Sequence, residues 1–177
     1  MIKERRSVRK YKDEKVDRET MREIVDIARW APSWVNYQIA RYTLVDDEEI
    51  IKEIAEHGVN GFVYNIDTLR TAKGVAVLSF VKGKSGTYDK EYITSKGNSW
   101  EVFDAGIACQ TFCLAAHAKG VGTCIMGVID DKSIAKIVNL PEDETVAALV
   151  VYGYEDGEHA APNKRKDVDE IMRFVDR

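Results

Sequence analysis

The chain has 177 residues, 45% of them apolar and 32% charged, with a formal net charge of -4. That length fits one globular domain with a core of its own, needing no disulfide staples. The acidic balance argues against nonspecific nucleic-acid binding as the main task, which needs broad cationic surface to displace counterions, but leaves room for one local cationic pocket.

The chain opens MIKERRSVRKYKDE, with Arg5, Arg6 and Arg9 gathered around Ser7 and flanked by Lys3 and Lys10. A solvated tail, a nucleic-acid arm and a seat for a phosphate all fit this cluster. A phosphate is held by charge-assisted hydrogen bonds; arginine supplies a planar fork of donors and serine adds a hydroxyl. In an extended segment alternate residues share a face, which aims Arg5, Ser7 and Arg9 into one site and turns Arg6 away unless a turn intervenes. These charged residues contain no apolar h-region of a signal peptide.

A helix follows, capped by Asp17, with Met21, Ile24, Val25, Ile27 and Ala28 as its apolar stripe. It ends near Pro32, because the residue before proline is pushed out of the α region. The next stretch, APSWVNYQ, sets Ser33, Asn36 and Gln38 among Trp34 and Tyr37. Amides beside aromatics suit an aromatic ligand that also needs hydrogen bonds, and they equally suit a loop that merely ends a helix. RYTLV predicts a short strand over 41–45, and DDEEIIKEIAEHG a helix closed by Gly58. Residues 59–73 are ambiguous. The nearly continuous apolar run from Gly74 to Val81 predicts a central strand.

Residues 82–98 are polar and glycine-rich and read as a mobile excursion. From Ser99 to Lys119 a long helix is apolar on most of its circumference, so it should be buried on more than one side, against a second subunit as well as its own sheet. GVGTCIMG then predicts a glycine-rich turn or short extended segment, whose glycines allow close backbone approach to a ligand or simply a tight connection. Asp130 or Asp131 caps a short helix through Val138, Thr145 to Gly153 is the last clear strand, and Asp167 to Val175 has weak helical periodicity. NKRK, at 163–166, is a second basic cluster. Helices and strands mix without regular alternation, which favours an α+β fold. No apolar run approaches the ~20 residues of a membrane span.

Cys109, Cys113 and His117 recur every four residues on the long helix, but the spacing typical of zinc sites is absent. Three cysteines, an odd number, speak against a disulfide framework and for a reduced, cytoplasmic protein. There is no GxSxG, and His57, His117 and His159 lie in unrelated contexts.

Taken together, RRSVRKY, ARWAPSWVNYQ, WEVFDAGIACQTFCLAAHAKGVGTCIMG and NKRK, in this order, resemble the nitroreductase family of FMN-dependent oxidoreductases. The resemblance covers nearly the whole chain and implies one FMN-binding domain over 1–177. It implies an α+β fold with a central, mostly antiparallel sheet flanked by helices, and a homodimer with FMN at its interface. It implies that Arg5, Arg6 and Ser7 hold the phosphate and ribityl end, that Arg9 sits by the pyrimidine edge, and that Arg165, with Lys164, reaches the phosphate. Pro32, Ser33 and Asn36 would line the flavin from the partner, and Met126 and Gly127 would present backbone near its reactive edge. NADH or NADPH would reduce FMN, and a small acceptor, such as a nitroaromatic or quinone, would then enter the same cleft in ping-pong turnover. The chemistry belongs to the cofactor, so no catalytic side chain and no metal is expected.

The chain departs from the family pattern in three places. Trp34 and Val35 follow Ser33 where a small residue is common, so Trp34 would fill part of the acceptor pocket. Ile39 and Ala40 replace the Pro-Trp after the glutamine. Asn163 stands where a lysine often precedes the phosphate arginine. A specialised member, such as a reductive dehalogenase or a flavin-consuming enzyme, is the alternative within the fold. A non-catalytic flavin sensor is the alternative from a different functional class, and an anion- or nucleic-acid-binding module is disfavoured by the acidic charge.

Overall fold

A computed structural model of the chain describes residues 1–158 and 161–176; His159 lies outside the described residues. Helix α1 (Arg18–Ala28) starts where Asp17 accepts from the Thr20 amide at 2.8 Å and the Thr20 hydroxyl at 2.7 Å. It buries Met21, Ile24 and Ala28, while Ile27, expected in the stripe, is exposed. A 3-10 turn at Trp34–Asn36 leads into β1 (Ala40–Val45). Helix α2 (Glu48–His57) is capped by Asp47, which accepts from the Glu49 and Ile50 amides. The ambiguous stretch holds α3 (Val63–Thr71), with no side-chain cap at its start. Strand β2 (Gly74–Val81) precedes a tight hairpin, β3 (Thr87–Tyr88) and β4 (Glu91–Tyr92). Then come α4 (Ser99–Ala118), β5 (Gly122–Met126), α5 (Asp131–Ile137, capped by Asp130), β6 (Glu144–Gly153) and a single turn, α6 (Val168–Ile171).

The main sheet has the order β1-β2-β6-β5, every neighbouring pair antiparallel. Its central strands are apolar on both faces because both are covered. Val75, Val77, Leu149 and Val151 face a core built with α2, α3 and α5, including Ile54, Leu69 and Ile134. Ala76, Leu78, Val150 and Tyr152 face the other way, onto Met21 and Ile24 of α1 and Phe112, Cys113 and Ala116 of α4. Strand alternation thus divides one apolar run between two cores. The result is an α+β fold of helices, sheet and helices in three layers.

The N-terminal arm closes the β5 edge. Ser7 bridges Thr123 in parallel, and the Val8 amide donates to the Thr123 carbonyl at 2.9 Å. Farther on, the Lys12 amide donates to Tyr154 O at 2.9 Å. The arm lies so close that a Cβ at Gly122 would stand 2.7 Å from a Val8 methyl, so only glycine fits at that point of β5.

Candidate functional site

Alternation holds around Val8 but not at the adjacent Arg5 and Arg6, which line one cavity without Ser7 or Arg9, so Arg6 is not turned away as an extended chain predicts. Val8 is buried, Ser7 and Arg9 on either side of it are exposed, and Arg5 and Arg6 are both half-buried. A turn over residues 2–4, in which the Glu4 and Arg5 amides donate to the Met1 carbonyl, precedes the extended stretch. Arg5 and Arg6 together line a cavity of about 190 Å³ with Val8, His117, Gly122, Thr123 and Glu155. Their guanidinium groups also brace the arm itself: Arg5 donates to Arg6 O at 2.8 Å, and Arg6 to Lys3 O at 2.7 Å. Thr123 is 1% exposed, and its hydroxyl has no hydrogen-bond partner among the described residues. Burial pushes the neighbouring Cys124 thiol up, and the Arg9 and Arg5 charges pull against it. The cavity therefore offers the positive charge of Arg5 and Arg6, while the Thr123 hydroxyl oxygen is fully buried at its edge.

Met126 closes β5 and is buried, whereas Gly127 is exposed. Among the described residues nothing lies within 4 Å of where a Cβ at Gly127 would stand, its chain neighbours aside. Helix α3, which sequence reasoning left unassigned, supports this edge. The buried Asn65 donates its side-chain amide to Val128 O at 3.0 Å, and Asn60 donates to Ile129 O at 2.9 Å. A polar residue in a weakly patterned stretch gave no signal of that role.

Pro32 and Ser33 lie elsewhere. With Arg29, Gln38, Arg41, Tyr42 and Asp104 they line a separate cavity of about 300 Å³. Asn36 is exposed beside it. The loop is strained: Val35, Asn36 and Gln38 all have positive φ, and a β-branched valine at φ 45° is a genuine outlier. Each such residue costs on the order of 1–3 kcal/mol and persists only where its surroundings over-determine it. Here the Gln38 amide donates to Ser33 Oγ at 2.8 Å, which leaves the Ser33 hydroxyl hydrogen available to a ligand. The loop leads into β1, at the opposite edge of the sheet from β5 and the arm. Three strand spacings, roughly 14 Å, separate the two edges.

Trp34 is half-buried. Its ring packs on Trp100 with centroids 4.9 Å apart, and its indole N–H donates to Thr87 O at 3.1 Å. Residues 82–98, expected to be loose, are anchored to α4 by buried carboxylates. Glu101 Oε1 accepts from the Gly83 amide at 2.6 Å and the Tyr92 hydroxyl at 3.3 Å, and Asp104 Oδ2 accepts from Ser85 Oγ at 2.5 Å. Gly86, at φ 87°, sits where a Cβ would meet Gly97 O at 2.6 Å. Lys164 and Arg165 are exposed on the tail and line neither cavity. Cys109 and Cys113 are buried core residues and hydrogen-bond to each other, which, with burial, pushes the Cys109 thiol up. Among the described residues no three His, Cys, Asp or Glu side chains are grouped to hold a metal ion.

Residues 2–154 match the sequence profile of the Nitroreductase family. The chain belongs to the Nitroreductase family. An FMN-dependent nitroreductase of Clostridium difficile R20291 superposes with a TM-score of 0.78 at 28% identity, covering 98% of each chain. The FMN reductase [NAD(P)H] of Bacillus subtilis is 30% identical over 149 residues, 80% of this chain and 59% of its own length. An iodotyrosine deiodinase of Thermotoga neapolitana is 25% identical over 163 residues, covering 88% of this chain and 87% of that protein. Nitroreductase-family membership fits the antiparallel sheet between helical layers described above. Among the described residues no helix is long and apolar enough to cross a membrane.

Proposed function

We propose that the chain is an FMN-dependent NAD(P)H oxidoreductase, one domain over 1–177, that passes electrons to a small acceptor by ping-pong turnover. The observation that carries this reading is the cavity lined by the half-buried Arg5 and Arg6 beside β5. A phosphate needs that donor chemistry, so the residues present fit the phosphate end of FMN. Family membership and the similarity to proteins named for FMN and NAD(P)H support the cofactor and the reductant.

In this reading Arg5, Arg6 and Ser7 hold the phosphate and ribityl end, and Arg9 places a cation by the pyrimidine edge. The exposed Gly127 backbone admits close approach at the end of β5. Bound FMN would supply hydride chemistry, taking two electrons from the nicotinamide and giving them to the acceptor. The protein binds, orients and excludes water.

The homodimer belongs to the same proposal. Pro32, Ser33 and Asn36 lie at the opposite sheet edge from the arm, so contact with one flavin from both sets is natural when a second copy supplies the loop. Val102 and Phe103 on α4 and Phe174 and Val175 on the tail are exposed apolar side chains that a second copy would cover. The exposed Lys164 and Arg165 would complete the phosphate seat from that tail. A reduced, cytoplasmic setting agrees with three buried free cysteines.

A second reading, reductive dehalogenation by a specialised member, is favoured by the similarity to the deiodinase and by the excursion anchored beside Trp34. The first test is a visible spectrum of the protein loaded with FMN and freed of excess, then given NADH or NADPH without oxygen. A retained band that bleaches supports the oxidoreductase. A band that stays favours a sensor, and no retained flavin overturns the phosphate seat. Turnover of halogenated against nitro-substituted phenols then separates the two enzymatic readings.

A further inference from the structure

Asp104 is 4% exposed on α4, and Ser85, which donates to it, is fully buried. A buried carboxylate survives only when it is hydrogen-bonded. Both donors to Asp104 converge on the same oxygen, Oδ2, yet they come from different parts of the chain: the Trp34 amide at 2.9 Å and the Ser85 hydroxyl at 2.5 Å. The circuit closes a second time through Trp34, whose indole N–H reaches Thr87 O in the hairpin. Glu101, one turn earlier on the same helix, holds only the excursion, through Gly83 and Tyr92. Asp104 is therefore the carboxylate that touches both the strained loop and the excursion.

We propose that Asp104 is a positioning residue that locks the Ser33–Gln38 loop to residues 82–98, so that the loop proposed to line the cofactor and the excursion beside it hang from one anchor. The functional consequence rests on the FMN-dependent reading; the lock itself is a property of the chain without cofactor. Trp34 then acts through placement. Its indole N–H is spent on Thr87 and its ring packs on Trp100, so it sets where the hairpin stands. Coupling of this kind is reciprocal: whatever orders the loop also orders the excursion.

Hydrogen exchange on the full-length, cofactor-free chain tests the lock. Ser85→Ala lies in the excursion, and Trp34→Phe lies in the loop but keeps an aromatic ring. Each should speed exchange in the other's segment by about fivefold, the loss of one hydrogen bond. Asp104→Asn keeps an acceptor oxygen and should leave both segments protected, whereas Asp104→Leu should release both. If each variant loosens only its own segment, the lock is overturned. For function, Ser85→Ala should raise the acceptor KM by about fivefold while reduction of bound flavin by NAD(P)H is unchanged. An unchanged KM overturns the positioning role. Failure of the wild type to retain FMN would sink the functional reading, and the exchange experiment would still decide the lock.

Discussion

Arg5 offers a ligand a charge-assisted donor, whereas the Thr123 hydroxyl is buried beside the cavity. A hydrogen bond to a charged group is worth about 1.5–3 kcal/mol, so Arg5→Ala should weaken FMN by tenfold or more. Thr123→Val removes only the unpartnered hydroxyl and should weaken FMN less, while leaving the unfolding temperature unchanged or higher. Fluorescence-quench titration reads both. Gly127 offers a cleaner separation of fold from site. Among the described residues none fills the space a Cβ there would take, so Gly127→Val should leave cofactor-free stability intact and lower FMN retention and turnover. Equal loss of melting temperature would show that the glycine serves the fold. The arginines were legible because a charge cluster stands out in any sequence. Thr123 was not, because a threonine in a strand reads as a β-former; Asp104 was not, because a lone aspartate in an apolar helix reads as its solvent face.

Among the elements, α1 carries a pH signature. The Arg18 guanidinium, bonded to Asp46 at 2.7 and 2.9 Å, holds the Asp46 carboxyl below the usual carboxylate range. Donation from the Thr20 amide and hydroxyl does the same for Asp17. Both folded-state values lie below the unfolded ones, so their stabilisation is present above the unfolded carboxylate range and is lost as pH falls through the folded values. Asp46→Asn should therefore melt below wild type near pH 7, and the gap should close as pH falls below the usual carboxylate range through the folded value. Helix α4 supplies the larger stake: Phe112 is fully buried and stacks near Tyr42, with centroids 5.3 Å apart. Phe112→Ala should cost about 3–5 kcal/mol in a denaturant melt.

Capped, patterned elements such as α1, α2 and β2 were readable from local rules. Helix α3 was not, because Phe62 gives it no side-chain cap and its apolar residues do not form a clear stripe. Strand β5 was half-hidden because Gly122, which reads as a turn residue, is there to admit Val8. The anchoring of residues 82–98 depends on carboxylates from another element, which no local pattern announces.

For the whole molecule, the proposed dimer predicts that Phe103→Glu shifts the mass measured by light scattering toward a monomer and lowers FMN retention with it. A monomer that keeps full FMN affinity would show that one chain completes the site. A different consequence follows from the arm. Strand β5 ends the sheet, and an open edge is a template on which other chains can polymerise. The arm covers that edge at Ser7 and Val8 through only a few backbone contacts, with Gly122 shaped to receive it. The same twelve residues that would greet a phosphate thus also act as a guard against fibre growth. A chain clipped before Asp13 should lose colloidal stability at concentrations where the intact protein stays clear, and added FMN should not rescue it.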